Sequence, residues 1–90
     1  MARYTYQHEE TQEILRREIS GVDSFGRNHK HVVTVINRLE QDDPSGKWVV
    51  MVDGVASLWY GMESAALRAG NRYKIGAYGI THGLPACSMG

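Results

Sequence analysis

Residues 47–60 read KWVVMVDGVASLWY, two apolar runs on either side of Asp53-Gly54. Lys47 to Val52 is dense in β-branched and aromatic side chains, and Val55 to Tyr60 alternates, as strands do. A two-residue Asp-Gly between such runs predicts a β-hairpin, because a type I′ turn needs φ > 0 at both central positions. An unbroken ladder from that turn sets Val52 opposite Val55, Met51 opposite Ala56, Val50 opposite Ser57, Val49 opposite Leu58 and Trp48 opposite Trp59. One face then carries Val49, Met51, Ala56 and Leu58. The other carries Trp48, Val50, Val52, Val55 and Trp59, interrupted only by Ser57. Both faces are apolar, whereas an antiparallel sheet with one wet side alternates cleanly. The second face is therefore either covered by the rest of the chain or used as a contact surface.

Moving outward, His31 to Arg38 (HVVTVINR) is a third strand of the same character, and Gln41-Asp42-Asp43-Pro44-Ser45-Gly46 has the chemistry of a turn. Together these runs predict a three-stranded antiparallel meander over residues 31–38, 47–52 and 55–60. On its N-terminal side, residues 8–20 (HEETQEILRREIS) contain neither Gly nor Pro. Glu9, Glu10 and Glu13 come early and Arg16 and Arg17 late, the order a helix macrodipole favours, and Gly21 stands where a helix stops. A helix is expected there, with a thin apolar stripe of Ile14, Leu15 and Ile19, followed by a loop over residues 21–30. On the C-terminal side, Met62, Ala65, Ala66, Ala69, Tyr73, Ala77 and Ile80 recur at spacings of three and four, which predicts a helix over residues 62–82 ending at His82-Gly83-Leu84-Pro85. The alternative stops a short helix at Gly70-Asn71 and makes residues 72–80 a fourth strand, since Gly70, Gly76 and Gly79 each disfavour a helix interior. The expected class is α+β in a single domain.

Ninety residues suit one modest core. The composition is that of a folded chain, 42% hydrophobic and 22% charged, with ten basic and ten acidic residues in balance. That balance argues against a wholly basic nucleic-acid binder and against an acidic mimic of one. It is uneven along the chain: residues 31–60 hold two basic groups against four acidic, and residues 61–90 three against one. A single cysteine, Cys87, forbids an internal disulfide and fits a reducing compartment. No apolar run approaches the length of a membrane span, and no apolar core of a signal peptide follows the first residues. A cytoplasmic protein is expected.

The chemistry-bearing residues are sparse. His29 and His31, at i and i+2, share one side of a strand and could hold an ion with His82 and Cys87, but no tight second ligand pair accompanies them. Cys87 sits three residues from the C-terminus, a poor place for a preorganised nucleophile. Gly76-Ala77-Tyr78-Gly79 lacks the Lys-Ser/Thr of a phosphate loop. No enzyme, cofactor or metal follows from these residues.

The expected α-β-β-β-α order resembles the double-stranded-RNA-binding domain, and a three-stranded sheet followed by a helix is similar to AP2-type and integrase arm-binding domains. The sequence departs from the former at Gly61-Met62-Glu63-Ser64, where a lysine-rich helix start belongs, and at Asp42-Asp43-Pro44-Ser45, where a Gly-Pro-x-His loop belongs. In size and character the chain also resembles phage accessory proteins of the anti-CRISPR kind, which bind and block a host machine. The resemblance implies a non-enzymatic inhibitor of a host protein. Trp48, Val50 and Trp59 would anchor the partner on the sheet, Arg68, Arg72 and Lys74 would form a charged rim, and a homodimer through the sheet is a further use of that face. The alternative is a small nucleic-acid-binding module using the sheet or the last helix.

Overall fold

The computed structural model describes residues 9–82. Its elements are β1 (Thr11–Val22), β2 (Asn28–Arg38), β3 (Trp48–Val52), β4 (Val55–Tyr60), α1 (Glu63–Arg72), β5 (Lys74–Gly76) and β6 (Gly79–Thr81). β1 to β4 form one antiparallel sheet in sequence order, and β5 and β6 form a separate two-stranded ribbon. The architecture is mostly β, with one short helix, and this corrects the expected α+β class with its N-terminal helix. The element order that suggested an RNA-binding domain goes with it.

Of the residues expected as helix 8–20, residues 11–20 belong instead to an edge strand paired with β2, residue 8 lies outside the described residues, and a bulge explains the helical appearance of the rest. β1 pairs with β2 from Thr11 opposite Arg38 to Val22 opposite Asn28, with a register shift between Glu13 and Leu15. The extra residue, Ile14, lets both Ile14 and Leu15 pack against the same core cluster. Two adjacent apolar residues on one face break the period of two and imitate a helical stripe. The bulge also makes Glu13 and Arg16 outward neighbours, with an Arg16 Nη2 to Glu13 Oε1 contact of 2.9 Å at the i, i+3 spacing familiar from helices. Past the bulge the alternation is plain: Leu15, Arg17 and Ile19 are partly buried, while Arg16, Glu18 and Ser20 are exposed.

The Asp53-Gly54 turn has φ of 52° and 81°, both in the region that type I′ demands. A second bulge alters the expected register beyond it. Met51 faces Ala56, but Val50 faces Leu58, Val49 faces Trp59 and Trp48 faces Tyr60. The expected Trp48–Trp59 pair does not form, and the two indoles lie on opposite faces of the sheet. Ser57, the extra residue, bonds its Oγ to the Tyr73 hydroxyl at 2.5 Å.

The helix expected over 62–82 ends at Arg72, where Tyr73 turns extended with φ −60° and ψ 136°. The ribbon follows; it corrects the long helix, and it also corrects the alternative of one strand over residues 72–80, because a turn at Ala77-Tyr78 splits it. Gly83, Leu84 and Pro85, part of the expected helix stop, lie outside the described residues. α1 lays Ala66 and Ala69, and the chain just past its end lays Tyr73, on Val33, Val35 and Val50 of the sheet, with Leu15, Ile19, Trp48 and Leu58 around them. A smaller cluster, Ile36, Val49 and Met51 with Ala56, occupies the other face.

Helix and sheet meet at Gly70. A Cβ there would lie 2.7 Å from Val35 Cγ2 and 3.0 Å from Leu15 Cδ2, so any side chain would push the helix off. Beside it Arg17, pointing inward from β1, donates from Nη1 to the carbonyls of Gly70 at 2.6 Å and Tyr73 at 3.3 Å. A cation on the last carbonyls satisfies groups the helix leaves unbonded and opposes its dipole. Gly70→Ala gains about 1 kcal/mol in helix propensity but should lose about 1–3 kcal/mol to overpacking. A lower urea midpoint than wild type is the expected result; an equal or higher one would show that the contact gives way freely.

Candidate functional site

The six residues expected to contact a partner are not brought together. Val50 has no exposed surface and lies beneath α1, so it cannot touch a partner. Trp48 is partly buried in the same cluster and lines a cavity of about 610 Å³ with Gly61, Met62, Glu63, Ser64 and Leu67. Trp59, 48% exposed, is on the opposite face. Arg68 and Arg72 are on the outer side of α1 and Lys74 follows on β5, all exposed, with no carboxylate paired to them among the described residues. The sheet face that invited the idea of a partner is covered by the chain's own helix.

The exposed aromatic surface lies elsewhere. The residues expected as a loop over 21–30 belong largely to a long β1–β2 hairpin, closed by Asp23-Ser24-Phe25-Gly26-Arg27. Asp23 N–H donates to the Arg27 carbonyl at 3.0 Å, Gly26 N–H donates to the Asp23 carbonyl at 3.1 Å, and Gly26 takes φ 79°. This is a tight loop with glycine at its left-handed position. The β5–β6 turn docks on it through Ser24 N–H to the Ala77 carbonyl at 2.9 Å. The docking brings Phe25 and Tyr78 within 5.9 Å, ring to ring, although they are 66% and 80% exposed. The Arg27 guanidinium sits 5.2 Å from the centre of the Phe25 ring.

What holds this tip is Asp23, whose carboxylate is fully buried. One oxygen accepts the N–H groups of Phe25 at 2.8 Å and Arg27 at 3.0 Å, and the other accepts Arg27 Nε at 2.6 Å and His29 Nε2 at 2.8 Å. Burial alone would disfavour the charged form. The bonds from His29, from the Arg27 and Phe25 backbone and from the Arg27 side chain outweigh it, holding the carboxyl well below the usual carboxylate range. Two residues on, His31 Nδ1 lies 2.6 Å from Asp53 Oδ2, and Val32 N–H donates to Asp53 Oδ1 at 2.9 Å. The His31 bond, helped by Val32, lowers the Asp53 pKa against the effect of burial. The His29 and His31 rings stack 5.9 Å apart.

Asp23 was legible as a turn residue, since an Asp followed three positions later by Gly between alternating runs is hairpin chemistry. The helical reading of residues 8–20 removed one of those runs and hid it. Cys87, weighed as a metal ligand, lies outside the described residues, and among the described residues no three His, Cys, Asp or Glu side chains converge on an ion-sized site. No helix among them is long and apolar enough to cross a membrane. Compared with known proteins, the chain matches no family model, no curated protein and no solved structure.

The depressed pKa of Asp23 has a pH signature. A carboxyl whose folded pKa lies below its unfolded one contributes stability in full above the ordinary carboxylate range, and that stability fades as pH falls through the folded value. Asp23→Asn should therefore lower the urea midpoint at neutral pH, and its deficit against wild type should shrink steadily from about pH 4 downward. A deficit independent of pH would locate the effect in hydrogen-bond geometry and not in charge.

Proposed function

We propose that this chain is a non-enzymatic protein-binding module that holds or occludes a protein partner through the Phe25–Tyr78–Arg27 tip. The observation that carries the reading is the exposure of two contacting aromatic rings on a turn locked by a buried carboxylate. Aromatic side chains and arginine dominate interface hot spots, and rigid anchors lose little entropy on binding. The tip joins two hairpins, so its shape is set before a partner arrives. Occlusion of a host protein in the cytoplasm is the mode of action of the phage inhibitors that the chain resembles in size and character. The single cysteine suits that compartment. A second reading, nucleic-acid binding, draws on Arg68, Arg72 and Lys74, three exposed cations clustered in sequence at the end of α1. Three phosphate contacts make a weak, strongly salt-dependent footprint.

Both readings meet one experiment. Tagged wild-type protein, a Phe25→Ala/Tyr78→Ala variant and an Arg68→Ala/Arg72→Ala/Lys74→Ala variant, each shown to melt cooperatively, are passed over nuclease-treated host lysate in roughly 0.5 M salt. A protein captured by wild type and by the triple variant, and weakened at least about tenfold by loss of the rings, is the expected result. Capture that survives removal of both rings would overturn the tip as the contact. Retention only of nucleic acid, at low salt and without nuclease, would establish the second reading.

A further inference from the structure

We propose that the outer edge of β1 pairs antiparallel with the same edge of a second copy of this chain, through Leu15-Arg16-Arg17-Glu18-Ile19. β1 is a 12-residue strand at one edge of the sheet, and no described strand pairs with its outer side. An open edge of that length presents a row of free N–H and carbonyl groups, a template for another strand. Which residues supply them follows from the bonded side. Val32, opposite Glu18, turns its carbonyl toward β3, where it accepts Asp53 N–H at 2.8 Å. Glu18 and Val32 are thus a non-bonded pair, so the backbone groups of Glu18, and of Arg16 two residues before it, point away from β2. Asp23, whose N–H donates to the Arg27 carbonyl across the hairpin, sets the same alternation from the other end.

The side chains select the partner. Residues opposite each other in an antiparallel pair share a face, so a two-fold axis between identical strands falls on a residue. Arg16 and Glu18 are exposed on one face, and Leu15, Arg17 and Ile19 are partly buried on the other. With the axis at Arg17, Arg16 lies opposite the partner's Glu18, Glu18 opposite the partner's Arg16, and Leu15 opposite the partner's Ile19. Moving the axis to Arg16 or to Glu18 sets like charges face to face. The free backbone groups belong to the same two residues, so each charge pair is also a hydrogen-bonded pair of the new ladder. Arg16 already meets Glu13 of its own chain at 2.9 Å and comes to lie between two carboxylates.

Two features limit the strength of the contact. The bulge at Ile14 ends regular pairing just before Leu15, and the axis brings two Arg17 side chains together. Each guanidinium is already bonded to the Gly70 and Tyr73 carbonyls of its own chain, the negative end of its helix, which offsets the repulsion. A short charge-paired ladder makes a reversible dimer, with a dissociation constant expected at about 10–100 µM. The antiparallel strands put the two Phe25 tips at opposite ends, about 16 residues of strand or roughly 50 Å apart, so the dimer is bivalent in its tips. The pairing itself uses neither Phe25 nor Tyr78 and stands or falls apart from the protein-binding reading.

Sedimentation velocity of the full chain in low salt, from about 1 µM to 1 mM, reads the equilibrium. Wild type should pass from monomer to dimer, and the dimer should weaken several-fold in roughly 0.5 M salt. Arg16→Glu and Glu18→Arg each set like charges opposite each other twice, and each should raise the dissociation constant at least about tenfold. Mixed in equal amounts, the two variants restore both charge pairs and should associate with each other at near wild-type strength. A wild type that stays monomeric at about 1 mM, a dimer that survives both substitutions, or variants that fail to associate when mixed would overturn the pairing. So would a dimer lost on Trp59→Ala in their place, which would belong to the far face of the sheet. Should a variant fail to melt cooperatively, hydrogen exchange of wild type decides. The Arg16 and Glu18 amides should exchange more slowly as concentration rises through that range, and unchanged rates there overturn the proposal.

Discussion

The seating of one short helix on four strands governs this structure, and it depends on the absence of a side chain at Gly70. With Val35 Cγ2 only 2.7 Å from where a Cβ would be, the helix backbone rests directly on the sheet. That closeness lets small residues, Ala66 and Ala69, bury completely, and lets Arg17 reach the helix's final carbonyls from a neighbouring strand. A charged residue on the inward face of an edge strand would ordinarily be costly. Here its guanidinium is matched to the carbonyl end of a helix, where a cation is favoured. Tyr73, the first residue past the helix, closes the arrangement through its hydroxyl contact with the bulged Ser57.

Two aspartates do for the turns what Arg17 does for the helix. Asp23 and Asp53 each close a hairpin, and each also reaches a histidine of β2. The far end of the long hairpin is thereby tied back to β2, although it carries exposed aromatic rings. Hydrophobic side chains held in place on a rigid turn are a different object from the same side chains on a loose loop: the ordering entropy has been lost in folding and is not lost again on contact. The apolar sheet face, by contrast, is spent on the chain's own core.

Much of the central hairpin was legible in the sequence. Asp53-Gly54 and its apolar flanks specify their turn by local φ requirements and their strands by β-branched density, neither of which needs a distant partner. The candidate site was legible only in fragments: Asp23 and Gly26 as turn residues, and His29 and His31 as neighbours on a strand. What concealed the rest was a pair of bulges. Ile14 inserted into β1 put Ile14 and Leu15 on one face and set Glu13 beside Arg16, so a strand displayed helical spacings. Ser57 inserted into β4 moved Trp59 to the face away from Trp48, dissolving the aromatic pair on which the expected sheet interface rested.

By itself, then, the sequence determined the features that arise within a few residues, namely the Asp-Gly turn, the strands flanking it, the alanine-rich helix start and the absence of any long apolar span. Tertiary structure decided whether residues 11–22 were helix or strand, where α1 ended, and which aromatic rings remained outside. The reason is that each of these depends on a partner far along the chain. β1 is a strand because β2 supplies its backbone hydrogen bonds, α1 stops where Arg17 meets its carbonyls, and Phe25 and Tyr78 meet because the Ala77 carbonyl accepts from Ser24. Local propensity among such residues is worth only tenths of a kcal/mol to about 1 kcal/mol each, and a shared ladder or a buried contact overrides it.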